Sequence, residues 1–203
     1  NFTGDICVRW NTTLPDLSGL DGLETVGGGI FISDNSNVSS LSGLGSLRTV
    51  GTQISITNNA GLTDISLPGL ETVTGNVTVS RNDQLETVSM PALTTVDGSF
   101  NHNLNSRSAA GQVSVSLPAL ETVGDSITMD GYDSSYGYAK VHTVTLGTAG
   151  TPLVVGATGA GQDVDIWNQH SLESIHADAL TQVHGDLSLW DIPLLGELHL
   201  DGL

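Results

Sequence analysis

The chain repeats itself every 23 or 24 residues, and that constrains its fold more than any other feature. The unit is an apolar-x-apolar pair, with an apolar residue eight positions after the first member and another three positions later. Ile30, Ile32, Val38 and Leu41 fit it, as do Ile54, Ile56, Leu62 and Ile65, and Val77, Val79, Leu85 and Val88. Unit starts fall at Ile6, Ile30, Ile54, Val77, Phe100, Ile127, Val164 and Leu187, at intervals of 24, 24, 23, 23, 27, 37 and 23. The fifth unit is the weakest, because His102 stands where an apolar residue is expected.

The pair alternates with period two and is rich in β-branched residues, which excludes a helix and indicates short strands. Gly and Asn punctuate each unit as turn residues. A unit this short cannot bury its own apolar face, so neighbouring units must bury it for one another. The expected fold is therefore all-β, a parallel β-solenoid of about eight coils of roughly 23–24 residues, forming one domain over 1–203. Three longer stretches, at 102–112, 130–140 and 147–161, are expected as insertions. Leu70, Leu93, Leu120 and Leu180 are expected to form one internal file, and Val73, Val96, Val123 and Val183 another. Pro68, Pro91 and Pro118 recur at one corner, where a missing N–H does least harm.

The net charge is −17, from 22 acidic and 5 basic residues. Such a field repels nucleic acid and anionic membrane surfaces, and favours cationic partners or saline surroundings. A single cysteine, Cys7, rules out an internal disulfide. No apolar run is long enough to span a membrane as a helix. Four sequons, at Asn1, Asn11, Asn37 and Asn76, point to a secreted glycoprotein. Asn1 is not a natural first residue, so a trimmed or mature piece is expected. HLDGL at 199–203 matches SLPGL at 66–70. The segment thus stops inside a coil, and a continuing parent chain or a covering subunit is expected there.

The spacing Leu-x-x-Val-x-x-x-Val-x-Val-x-x-Asn-x-x-Leu-x-x-Val at 70–88 resembles the leucine-rich-repeat-like solenoid of receptor L domains. LPALETVGDSITM at 117–129 is more similar still to fungal GPI-anchored cell-wall organisation proteins, which carry such domains. LSGLGSLRTVG at 41–51 is also similar to repeat proteins of bacterial surfaces. The resemblance implies an extracellular, cell-surface solenoid. It departs at Cys7, since receptor L domains usually close their ends with disulfides.

Binding chemistry is expected at the Tyr-rich insertion, with Tyr132, Tyr136 and Tyr138, and at Arg107 on the insertion one coil earlier. Trp167 and Trp190 lie 23 apart and should be neighbours, either as a binding face or as a cover over the core edge. His176 and His199 should stack likewise, with His184 as the nearest third ligand, but no metal site is expected from them. Asp163 with Asp165, or Asp130 with Asp133, offer at most a calcium corner. Thr25, Thr49, Thr72, Thr95 and Thr122 form a file that ice or mineral binding would require, beside the irregular neighbours Glu24, Arg48, Glu71, Thr94 and Glu121. No nucleophile elbow, zinc-protease or phosphate-loop motif occurs. The expected role is non-enzymatic: a structural block of a cell surface, wall or filament, engaged in adhesion or self-association with itself or other surface proteins. The alternative is a receptor-like ectodomain that binds a glycan or protein.

Overall fold

The computed structural model describes residues 1–105, 113–133, 137–138, 140–148, 150–156 and 162–203. Three parallel sheets wind together into a β-solenoid of about seven turns, with eight, seven and six strands. The first sheet carries the unit starts in register, as Ile6, Ile30, Ile54, Val77, Phe100, Ile127, Val164 and Leu187. The second carries the file Val26, Val50, Val73, Val96, Val123, Val155 and Val183. The third carries Ile65, Val88, Val115, Val144, Ile175 and Leu198. Each inward residue is shielded by its counterparts above and below, and the core from Ile30 to Leu180 is essentially dry. Fully burying one such Val, Leu or Ile is worth about 1.5–3 kcal/mol.

The close approach of rungs explains part of the glycine content. A Cβ on Gly43 would lie 1.9 Å from the Leu17 carbonyl oxygen, and one on Gly51 2.1 Å from that of Gly27. Only a residue without a side chain fits where one rung's backbone rests on the next.

Two corners are held by side chains. After the first strand the chain turns through a left-handed residue at Trp10, Asp34, Asn58, Arg81, Leu104, Asn168 and Asp191, with φ of 55–58°. Such a conformation is uncommon for non-glycine residues and needs local support. The following position supplies it as an amide ladder through Asn11, Asn35, Asn59, Asn82 and Asn105. The Asn59 Oδ1 accepts from the backbone N–H and the Nδ2 of Asn35, at 3.1 Å each. Its Nδ2 donates to the Ile32 carbonyl and to the Asn82 Oδ1. Asn82 and Asn105 repeat this pattern one rung on. Asn35, Asn59, Asn82 and Asn105 are wholly buried, so these bonds satisfy groups that water cannot reach. A second corner, before the first strand, uses short polar side chains. Asp5 accepts from the Gly29 N–H, Asn76 from Ser99 and Asp163 from Asp186, while Ser126 Oγ accepts from Asp163.

The insertions differ from the sequence expectation. Phe100–Asn103 is a regular strand and Asn105 is a ladder member, so 102–105 belong to the stack. His102 fills its apolar slot fully buried, aligned with Val79. Asp130 likewise ends a strand. Tyr132–Asp133 and Gly137–Tyr138 pair antiparallel as the two arms of a hairpin, Tyr132 opposite Tyr138. The stretch 147–161 is not a plain insertion, because Leu153–Val155 is a rung strand of the second sheet. Leu180 therefore pairs with Leu153, and Val183 with Val155, which come between them and the expected neighbours Leu120 and Val123. Leu153-Val-Val155 carries its own period-two apolar pair, which a frame anchored on the other two strands does not register.

Candidate functional site

The strand that opens each rung ends in an outward position occupied by Arg9, Ser33, Thr57, Ser80, Asn103, Asp130, Trp167 and Trp190. Bulk aromatic residues appear there only on the last two rungs. Trp167 and Trp190 are in register, and their rings meet edge to face with centroids 5.3 Å apart. Trp190 is 51 % exposed, while the Trp167 Nε1 is buried without a hydrogen-bond partner. Trp167 is thus tucked against the rung below, and Trp190 is presented to solvent.

The hairpin joins the same corner. Asp130 aligns with Trp167, and its Oδ1 accepts from the Tyr132 N–H and from Asn168 Nδ2, at 3.0 Å each. This clamps the hairpin base to the next rung. Tyr138 then stacks on His170, with centroids 3.4 Å apart and planes 14° from parallel, and Tyr132 lies 5.2 Å from Tyr138. His170 Nε2 lies 3.0 Å from Asp191 Oδ2, next in sequence to Trp190. The result is a cluster of tyrosine, histidine and carboxylate beside two indoles, with Tyr132 44 % and Tyr138 38 % exposed. Flat aromatic faces with flanking carboxylates suit the C–H faces and hydroxyls of a sugar, or a cationic side chain. His170 and Asp191 carry no warning in the sequence, because their place beneath Tyr138 depends on the direction in which the hairpin folds. Tyr136 and Arg107 lie outside the described residues, as does most of the second insertion expected to share this surface.

The remaining candidates are spread apart. His176 and His199 do stack, with centroids 4.7 Å apart. His184 does not serve as their third ligand, because its ring bonds the Val155 carbonyl and the Gln182 amide instead. The Asp163 carboxylate holds the Asp186 N–H, and that of Asp130 holds the hairpin base, so both are corner posts. The side chain of Asp133 lies outside the described residues. The threonine file is in register from Thr25 to Thr122 and then meets Val154. Asn1, Asn11, Asn37 and Asn76 are all exposed, although Asn11 Nδ2 also donates to the Arg9 carbonyl and to Asn35.

Among the described residues, the ionisable group shifted furthest is His102. Burial away from water pushes its imidazole down to about 4, and its Nε2 has no partner. It is a core residue, 1 % exposed. Compared with protein-family models, curated proteins and solved structures, the chain matches no family, and no protein or structure is significantly similar to it.

Proposed function

We propose that this chain is a non-enzymatic extracellular repeat protein that serves as a structural block of a cell surface, wall or filament and associates rung on rung. The observation that carries this is the in-register stack itself, in which each rung covers the apolar face of the next. On rung 187–203, Leu187, Leu198 and Leu203 are 37–56 % exposed, although their counterparts Val164, Ile175 and Leu180 inside the stack are dry. The opposite face offers Ile6, Val8 and Leu14, only partly buried, on a strand with one free edge. A second copy stacked in the same sense places Leu187 on Ile6, Leu189 on Val8, Leu195 on Leu14 and Leu198 on Leu17. That contact is head to tail and does not close, so it propagates. The resemblance of 70–88 to receptor L domains and of 117–129 to fungal cell-wall organisation proteins supports a surface location, as do the four exposed sequons.

The test is the mass in solution by light scattering or sedimentation across a concentration series. Concentration-dependent association that Leu187→Lys or Ile6→Lys abolishes supports the role. A strictly monomeric chain at the highest soluble concentration overturns it. A second role is favoured by the aromatic corner: binding of a glycan or of another surface protein through Tyr132, Tyr138 and Trp190. Replacing both tyrosines by Ser should then remove ligand while the association state stays unchanged.

A further inference from the structure

We infer that Asp178, His199 and Asp201 form a binding site for one divalent transition-metal ion of the zinc class. The file that contains His199 runs in register through Ser66, Ser89, Ser116, Thr145, His176 and His199. Two positions on, the corner holds Pro68, Pro91, Pro118 and Gly147 before it becomes Asp178 and Asp201. Ser-x-Pro is thus replaced by His-x-Asp, in both members, on two adjacent rungs. A solvated corner does not require that paired change.

The structure brings the replaced residues together. One ligand atom from each of Asp178, His199 and Asp201 lies within 4.8 Å of the other two, a spacing that one ion can bridge. Asp178 Oδ1 is shut off from solvent and has no hydrogen-bond partner. A carboxylate with one oxygen so placed, beside a second carboxylate in a chain of net charge −17, lacks a positive charge that would stabilise it. His199 is braced by ring stacking on His176, whose Nε2 is 3.9 Å from Glu197 Oε2. Two carboxylates and one imidazole suit zinc, cobalt, nickel or manganese, and leave a place for water. Calcium prefers six to eight oxygens and is disfavoured by the imidazole. The site lies within one chain and does not depend on stacking between copies.

The test is calorimetric titration of the whole chain with ZnCl₂ at pH 7.5, with CoCl₂ absorption as a spectroscopic check on ligation. One saturable site is expected, with affinity lowered at least about tenfold by Asp178→Asn or by Asp201→Asn. Lowering the pH to 5.5 should weaken binding, because protons compete with the metal for its ligands. Asp201 is at an exposed corner, so its variant decides the matter if Asp178→Asn fails to give a native circular dichroism spectrum. The assignment is overturned by absence of saturable binding at millimolar zinc, by unchanged binding in Asp201→Asn, or by a preference for calcium.

Discussion

Lowering the pH should loosen this rod through a single residue. His102 occupies an inward slot held by Val79 on the preceding rung, wholly buried, with Nε2 unpartnered. Its imidazole ordinarily titrates at 6.5 and is driven down to about 4 by burial. The unfolded chain therefore takes up the proton first. Stability is fully present above about pH 6.5, declines as the pH falls, and stops declining below about 4. Relative to pH 7.5, linkage at this one site removes on the order of 1 kcal/mol at pH 5.5 and roughly 2 to 3 kcal/mol at pH 4.5. His102→Leu keeps similar bulk and removes both the proton site and the orphaned nitrogen. Urea unfolding at pH 7.5, 5.5 and 4.5 and constant ionic strength gives the comparison. The variant should match or exceed the wild type at pH 7.5, and its advantage should grow by about those amounts as the pH falls. Other groups titrate in both proteins and cancel in the difference. An advantage that stays constant with pH would refute a buried neutral imidazole at this position.

Three further outcomes follow from the packing. Asn59→Ala should destabilise by about 3 kcal/mol in urea unfolding, because it strands the Asn35 N–H, whereas Asn11→Ala at the exposed start of the ladder should cost less than about 1 kcal/mol. Gln169 is buried and neither of its side-chain amide atoms has a partner, so Gln169→Leu should leave the thermal midpoint unchanged or raise it. Partial burial raises the Asp64 pKa, and the Ser40 hydroxyl only partly offsets this. The folded state thus favours the protonated acid, stability is lost as the pH rises through the raised value, and Asp64→Thr should raise the thermal midpoint more at pH 7 than at pH 3.5.

The stack was legible because burial of Ile54, Val77 and their kin leaves a period in the apolar residues themselves. All eight unit starts pair in register. The strand at Leu153–Val155 escaped because it follows a corner of altered length, and periodicity carries no information about where a longer path rejoins the sheet. The amide ladder was visible only as turn-forming asparagines. Their hydrogen bonds depend on the neighbouring rung, 23 or 24 residues away. His102 looked like a flaw in the pattern because its size fits the slot while its polarity does not. At the candidate sites, register alone forecast that Trp167 meets Trp190 and that His176 meets His199. It could not forecast that Tyr138 lies on His170, which a hairpin's fold-back decides, nor that carboxylates rather than His184 attend His199.

The amide ladder ends at Asn105, because the last three rungs put Tyr132, Gln169 and Ile192 at its position. Gly131 takes the corner of the sixth rung, and a Cβ there would lie 2.3 Å from the Asn168 carbonyl oxygen and 3.0 Å from Gln169 Oε1. Under tension along the axis, the first five rungs share the load between main chain and side-chain amides. Between the sixth and seventh rungs the main-chain pairing is joined instead by the clasp of Asp130 with Asn168 and of Tyr138 with His170. Pulled from its ends, a rod built this way should part beyond the fifth rung, where side-chain amides no longer share the load.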